Sequence, residues 1–106
     1  MKHLTLKKTI TNKHTQIQFP ENSTVSVQFP EEFNGTTMLL TDNAGNQLKT
    51  RSSHFFVLFG KKEPSIKTLE KWTEDSFCKS LFGQKVEPDG FDSEGSPSIL
   101  VAMGFI

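Results

Sequence analysis

Across the first 60 residues, apolar side chains return at every second position, and proline or Asp, Asn and Gly interrupt them about every ten residues. Leu4 and Leu6, then Ile17 and Phe19, then Val25, Val27 and Phe29 alternate with polar neighbours. That is the period of a strand with one buried face. Pro20 and Pro30 each end a strand, because proline has no N–H to offer a ladder. Ile17-Gln18-Phe19-Pro20-Glu21 returns ten residues later as Val27-Gln28-Phe29-Pro30-Glu31. This is the spacing of neighbouring short strands, well below the roughly 20 to 50 residues of repeat architectures. Residues 36 to 41 form the next strand, Asp42 to Asn46 a hairpin loop whose residues tolerate positive φ, and Gln47 to Arg51 the returning strand. His54 to Phe59 is apolar on both faces and reads as a strand buried on both sides at the centre of the fold.

Beyond Gly60 the spacing becomes helical. Ile66, Leu69 and Trp72 share a face, and Pro64 suits a first helical turn. Thr73 reads as the cap of a second helix, with Phe77, Cys78, Leu81 and Phe82 as its apolar face and Gly83 as its end. Two tandem turns follow at 87–90 and 92–95, and then a short helix from Ser98 to Met103 is preferred over a strand. The apolar end Gly104-Phe105-Ile106 is expected to tuck into the core or a partner. Together these readings predict one α+β domain over residues 1–106. An antiparallel sheet or small β-barrel from about residues 1–60 is packed by two or three short helices from about 64–104.

Leu, Ile, Val and Phe make up 29 of 106 residues, enough to escape the disordered class, which falls below roughly 20 %. The longest apolar runs have five residues, against about 20 for a membrane span. The basic start lacks an apolar signal segment, and Cys78 is the sole cysteine, so a cytoplasmic, reducing location is expected. Asn22-Ser23-Thr24 and Asn34-Gly35-Thr36 match the glycosylation acceptor pattern but read better as turns.

His3, His14 and His54 show no zinc spacing, and Asp89, Asp92 and Glu94 are interrupted by Pro97 too early for a calcium loop of EF-hand type. The standard phosphate loops and the nucleophile elbow do not occur. Cys78 shares an apolar face and reads as a core residue rather than a nucleophile. The expectation is a protein without enzymatic activity and without a cofactor or metal.

The formal charge of zero hides a division. Residues 1–72 hold ten basic and six acidic side chains, whereas residues 73–106 hold two and six. The acidic turns therefore offer Glu87, Asp89, Asp92 and Glu94, with Phe91 as an aromatic anchor, to a protein partner of opposite charge, and a bipolar chain of this kind can also pair with itself. The alternative is nucleic-acid binding by a lysine-bearing sheet through Lys7, Lys8, Lys61, Lys62 and Arg51, with Phe55, Phe56 and Phe59 as stacking faces if exposed. A third possibility is a small-ligand site with no local motif.

Leu69-Glu70-Lys71-Trp72, Val86-Glu87-Pro88-Asp89-Gly90, Gly95-Ser96-Pro97-Ser98-Ile99-Leu100 and Gly104-Phe105-Ile106 together resemble the closing motif of small uncharacterised proteins of bacterial phages, plasmids and gene cassettes. The similarity spans about the last 40 residues, and Ile99 stands where such proteins commonly carry an aromatic. The resemblance implies a bacterial mobile-element accessory protein and carries no site or activity with it. The leading expectation is a small binding protein that acts on another protein.

Overall fold

In the computed structural model, which describes residues 2 to 105, the early alternation becomes antiparallel sheet. In chain order the strands are β1 (Lys2–Thr5), β2 (Ile10–Thr11), β3 (Gln18–Phe19), β4 (Thr24–Gln28), β5 (Thr37–Thr41), β6 (Gln47–Arg51), β7 (Cys78–Lys79) and β8 (Lys85–Val86). The helices are α1 (Phe55–Phe59), α2 (Ile66–Glu74) and α3 (Ile99–Ala102). The main sheet has the order β1-β4-β5-β6, while β2 with β3 and β7 with β8 form two small ribbons. The main sheet stays open, so the barrel alternative is not realised, and β1 and β6 are its edges.

Register explains the alternation. Val27 faces Leu40, and Leu40 faces Leu48, so these side chains share one face with Val25 and Met38 and bury it. The opposite face carries Gln28, Leu39 and Lys49 in one row and Thr37 with Arg51 in another. The hairpin between β5 and β6 forms at the expected loop. The Asp42 carboxylate accepts the N–H of Ala44 at 3.0 Å and of Asn46 at 2.9 Å, plus the Asn46 side-chain amide at 3.0 Å. Asn22 and Asn34, the two glycosylation look-alikes, sit in turns with φ of 70° and 51°.

The run Phe55 to Phe59 is a helix, not the central strand that its composition suggested. Phe55, Phe56, Leu58 and Phe59 are buried and Val57 is 57 % exposed, a helical face with one residue turned out. Five residues cannot hold a helix alone in water. Burying four large side chains, each contributing about 1.5–3 kcal/mol, supplies what the helix lacks. Gly60, at φ 65°, ends it by donating its N–H to the Phe56 carbonyl. A short apolar run carries too little periodicity to separate the two structures.

α2 follows the expectation, with Ser65 rather than Pro64 at its start, where the Ser65 hydroxyl accepts the Thr68 N–H. Leu69 is buried, but Ile66 is 62 % exposed and leaves the predicted apolar face. The second helix expected from Thr73 is absent. Thr73 lies inside α2, its hydroxyl donating to the Glu70 carbonyl, and Cys78 and Lys79 pair with Val86 and Lys85. Gly83, at φ 87°, closes the intervening loop instead of a helix. Cys78 and Leu81 are core residues as expected, although they reach the core from a ribbon and its loop.

The C-terminal helix forms over Ile99–Ala102, with the Ser98 hydroxyl accepting the Val101 N–H at 3.1 Å. This segment docks on the sheet half through Gly35. A Cβ added there would lie 2.6 Å from the Pro97 side chain and 3.0 Å from the Phe91 ring. Buried serines brace each half from within: Ser52 donates to the Gly35 carbonyl at 2.6 Å in the sheet half, and Ser80 to the Asp92 carboxylate at 2.6 Å in the C-terminal half. Phe105 is 40 % exposed, and Ile106, the last residue of the expected buried end, lies outside the described residues.

Candidate functional site

The open edge of β6 is defined by its hydrogen-bond parity. Asp42 donates its N–H to the Asn46 carbonyl and Ser52 donates to the Thr36 carbonyl. Antiparallel pairing alternates, so Leu48 and Thr50 turn their backbone groups toward β5 while Gln47, Lys49 and Arg51 turn theirs outward. The Asn12 side-chain amide confirms this parity by donating to the Gln47 carbonyl at 3.0 Å. Among the described residues, that is the one hydrogen bond reaching the outward backbone groups of Gln47 and Lys49, while Arg51 leads into the 3-10 turn Ser52–His54.

A cleft of about 810 Å³ runs beside this edge, between β6 and the segment from Ile10 to His14. Residues from both faces of the strand line it, Gln47 and Lys49 on one and Leu48 and Thr50 on the other, so it follows the edge rather than either face. Its apolar walls come from Ile10, Leu39 and Leu58, and its polar groups from Lys13, His14 and His54. No Asp or Glu lines it among the described residues. Asn12 builds the end of the cleft. Its carboxamide oxygen accepts the His14 N–H at 2.9 Å while its amide reaches Gln47, which fixes the turn against β6. Lys49 is held with its ammonium 5.3 Å from the Phe33 ring centroid, and the His54 Nδ1 lies 3.0 Å from the Thr50 hydroxyl.

The acidic candidates divide into two kinds. Asp92 is committed within the fold: one carboxylate oxygen accepts the N–H groups of Glu94 and Ser96, and the other accepts the Ser80 hydroxyl. Glu94 pairs with Lys2 at 3.3 Å, the single ion pair among the described residues. Glu87 and Asp89 are exposed on their turn. Phe91 is 47 % exposed, with one edge of its ring against Gly35. Among the described residues, the two oppositely charged parts of the chain therefore meet by direct ion pairing at one surface pair.

The basic candidates divide as well. The Lys7 side chain packs over Gly60, close enough that a Cβ there would lie 2.7 Å from its Cγ, and the Lys7 N–H donates to the Leu58 carbonyl at 2.7 Å. This brings Lys7 and Lys8 beside the chain leading into Lys61 and Lys62. Arg51 stands apart, lining a shallow groove of about 340 Å³ against Val101 and Met103. Phe55, Phe56 and Phe59 are buried and offer no stacking face. Cys78–Lys79 and Lys85–Val86 form a ribbon, so no second helix follows α2 there to enter a nucleic-acid groove.

Cys78 is buried beside the Glu87 carbonyl, and burial pushes its thiol above the ordinary value, against weaker opposing contributions from Ser98 and Leu100. The cleft residues Lys13 and Lys49 were visible as basic residues, but nothing in their neighbourhood marked them as a pair. They lie in separate elements, and only strand order brings them to one edge. The single local hint is the polarity of Gln47, Lys49 and Arg51, all exposed at alternate positions. Comparison of the chain with protein-family models, curated proteins and solved structures finds no match in any of the three, so function rests on the geometry of this edge and its cleft.

Proposed function

We propose that this chain is a protein-binding module that takes up an extended segment of a partner as an added strand along β6. The observation that carries this reading is the outward parity of Gln47, Lys49 and Arg51 beside an open cleft. Strand addition gains affinity from main-chain hydrogen bonds and specificity from the pockets that flank alternate side chains. An edge strand normally invites uncontrolled pairing, and proteins blunt it with lysines and polar residues. β6 carries such residues on its outer face, yet borders a cleft of about 810 Å³.

The test is a display library of short extended peptides, selected on the intact protein and counter-screened on a Lys49→Pro variant. Proline at position 49 removes an outward N–H and no bond to β5, so the sheet itself is retained. Peptides that bind the wild type and lose binding to Lys49→Pro support the reading. A library that yields no binder, or binders indifferent to proline at position 49, overturns it.

A further inference from the structure

Resting on the strand-addition reading, we infer that the segment taken up by β6 is acidic, with carboxylates alternating with apolar side chains. The two sides of the edge differ in kind. On the face shared by Gln47, Lys49 and Arg51, a residue added directly opposite Lys49 projects to the same side as its ammonium. On the other face the strand offers Leu48 and Thr50, in a cleft whose lining also includes Ile10 and Leu58. An added strand therefore sets one row of side chains beside Lys49, with Leu39 behind it, and the next row beside Leu48 and Thr50, the period of two that any strand provides.

Charge selects the sign of the first row. Lys13 and Lys49 both line the cleft, and the single ion pair among the described residues, Lys2 with Glu94, leaves neither neutralised by a carboxylate. Arg51 continues the row at the far end of β6. A partner strand with carboxylates at alternate positions gains cross-strand opposite-charge pairs, whereas one with lysines meets like charges directly opposite. The same reasoning disfavours a second copy of this chain at the site. An antiparallel two-fold pairing of β6 centred on Lys49 sets that lysine against its own image and repeats the cationic row on both strands.

The experiment compares three labelled peptides of about six residues, the common length of a strand. All have the same alternating Val and Leu positions, with Glu, Gln or Lys between them, and binding to the full chain is read by fluorescence anisotropy. The expected order is Glu, then Gln, then Lys, with roughly tenfold between the first two at low salt and a smaller ratio as salt is raised. Lys49→Glu and Lys13→Glu, both exposed substitutions, are expected to reverse the order. Equal binding of the three peptides to the wild type, lost in Lys49→Pro, refutes the acidic preference and leaves strand addition standing. A Glu peptide that binds Lys49→Pro as well as it binds the wild type overturns strand addition itself. A single-stranded oligonucleotide that matches the Glu peptide and is displaced only by salt also overturns the inference, since the edge is then a general polyanion surface.

Discussion

The main sheet has two outer strands with the same backbone chemistry and different surroundings. β1 turns the backbone groups of His3 and Thr5 outward, because Leu6 bonds to Ser23 and the parity alternates back from there. It is tied at both ends: Lys7, next in the outward series, donates its N–H to Leu58, and Lys2 reaches Glu94 and lies 5.4 Å from the Phe82 ring centroid. β6 is met at one end, where Asn12 takes the Gln47 carbonyl; from Gln47 to Thr50 the strand lines the 810 Å³ cleft, and Arg51 lies beyond it. An unpaired edge is therefore not by itself a binding site. What distinguishes β6 is a second wall, the segment from Ile10 to His14, with a cleft of about 810 Å³ between the two.

The sharpest way to break this comparison is to place the same block on each edge in turn. Lys49→Pro is expected to reduce peptide binding by more than about tenfold, while His3→Pro leaves it unchanged; each should lower the melting temperature by less than about 8 °C, the equivalent of ~1 kcal/mol in a domain of this size. Equal losses from both substitutions would erase the distinction between the edges. Gly35→Ala acts on stability instead. It combines a positive-φ penalty with a Cβ only 2.6 Å from Pro97, and is expected to cost about 2–4 kcal/mol in denaturant unfolding while the remaining folded protein keeps its β6 binding.

Gly60→Ala strains a φ of 65° and pushes on the Lys7 stem, a flexible group that can yield, so about 1 kcal/mol is expected. It should speed amide exchange at Lys7, loosening the tie of β1 to α1, without altering β6. The smallest effect concerns the hairpin that presents β6. Its hydrogen bond from the Asn46 side chain, with backbone N–H groups behind it, holds the Asp42 carboxyl below its ordinary value of 3.8. A folded-state value below the unfolded one stabilises the protein above about pH 3.8 and is lost as pH falls through the lower folded value. Wild type should therefore lose stability on acidification slightly faster than Asp42→Ala over that window, as read by thermal melts at stepped pH.

Much of the sheet was legible because its cause is local. Period-two burial, Pro20, Pro30 and the Asp42 to Asn46 loop each act within a few residues, and β4, β5 and β6 fall where those signals place them. Phe55 to Phe59 was misread for a physical reason: five apolar residues can be buried as a two-sided strand or as one wide helical face, and tertiary packing decides. The segment after Thr73 failed similarly, since the Ser80 hydroxyl accepts the Gln84 backbone N–H and donates to the Asp92 carboxylate twelve residues on. The candidate residues show the same division. Asp92 and Glu94 looked like free surface charge and are engaged within the fold, whereas Lys13 and Lys49 acquire meaning only once strand order brings them to a shared cleft.

The most direct test of the β6 edge is residue-resolved amide exchange by NMR, in the free protein and with the alternating Glu peptide bound. In the free protein the Lys49 and Arg51 amides should exchange quickly and those of Leu48 and Thr50 slowly. Peptide should then protect Lys49 and Arg51 selectively, leaving His3 and Thr5 as they were. Protection that appears at His3 and Thr5 instead, or binding that leaves Lys49 and Arg51 unprotected, would contradict strand addition at β6.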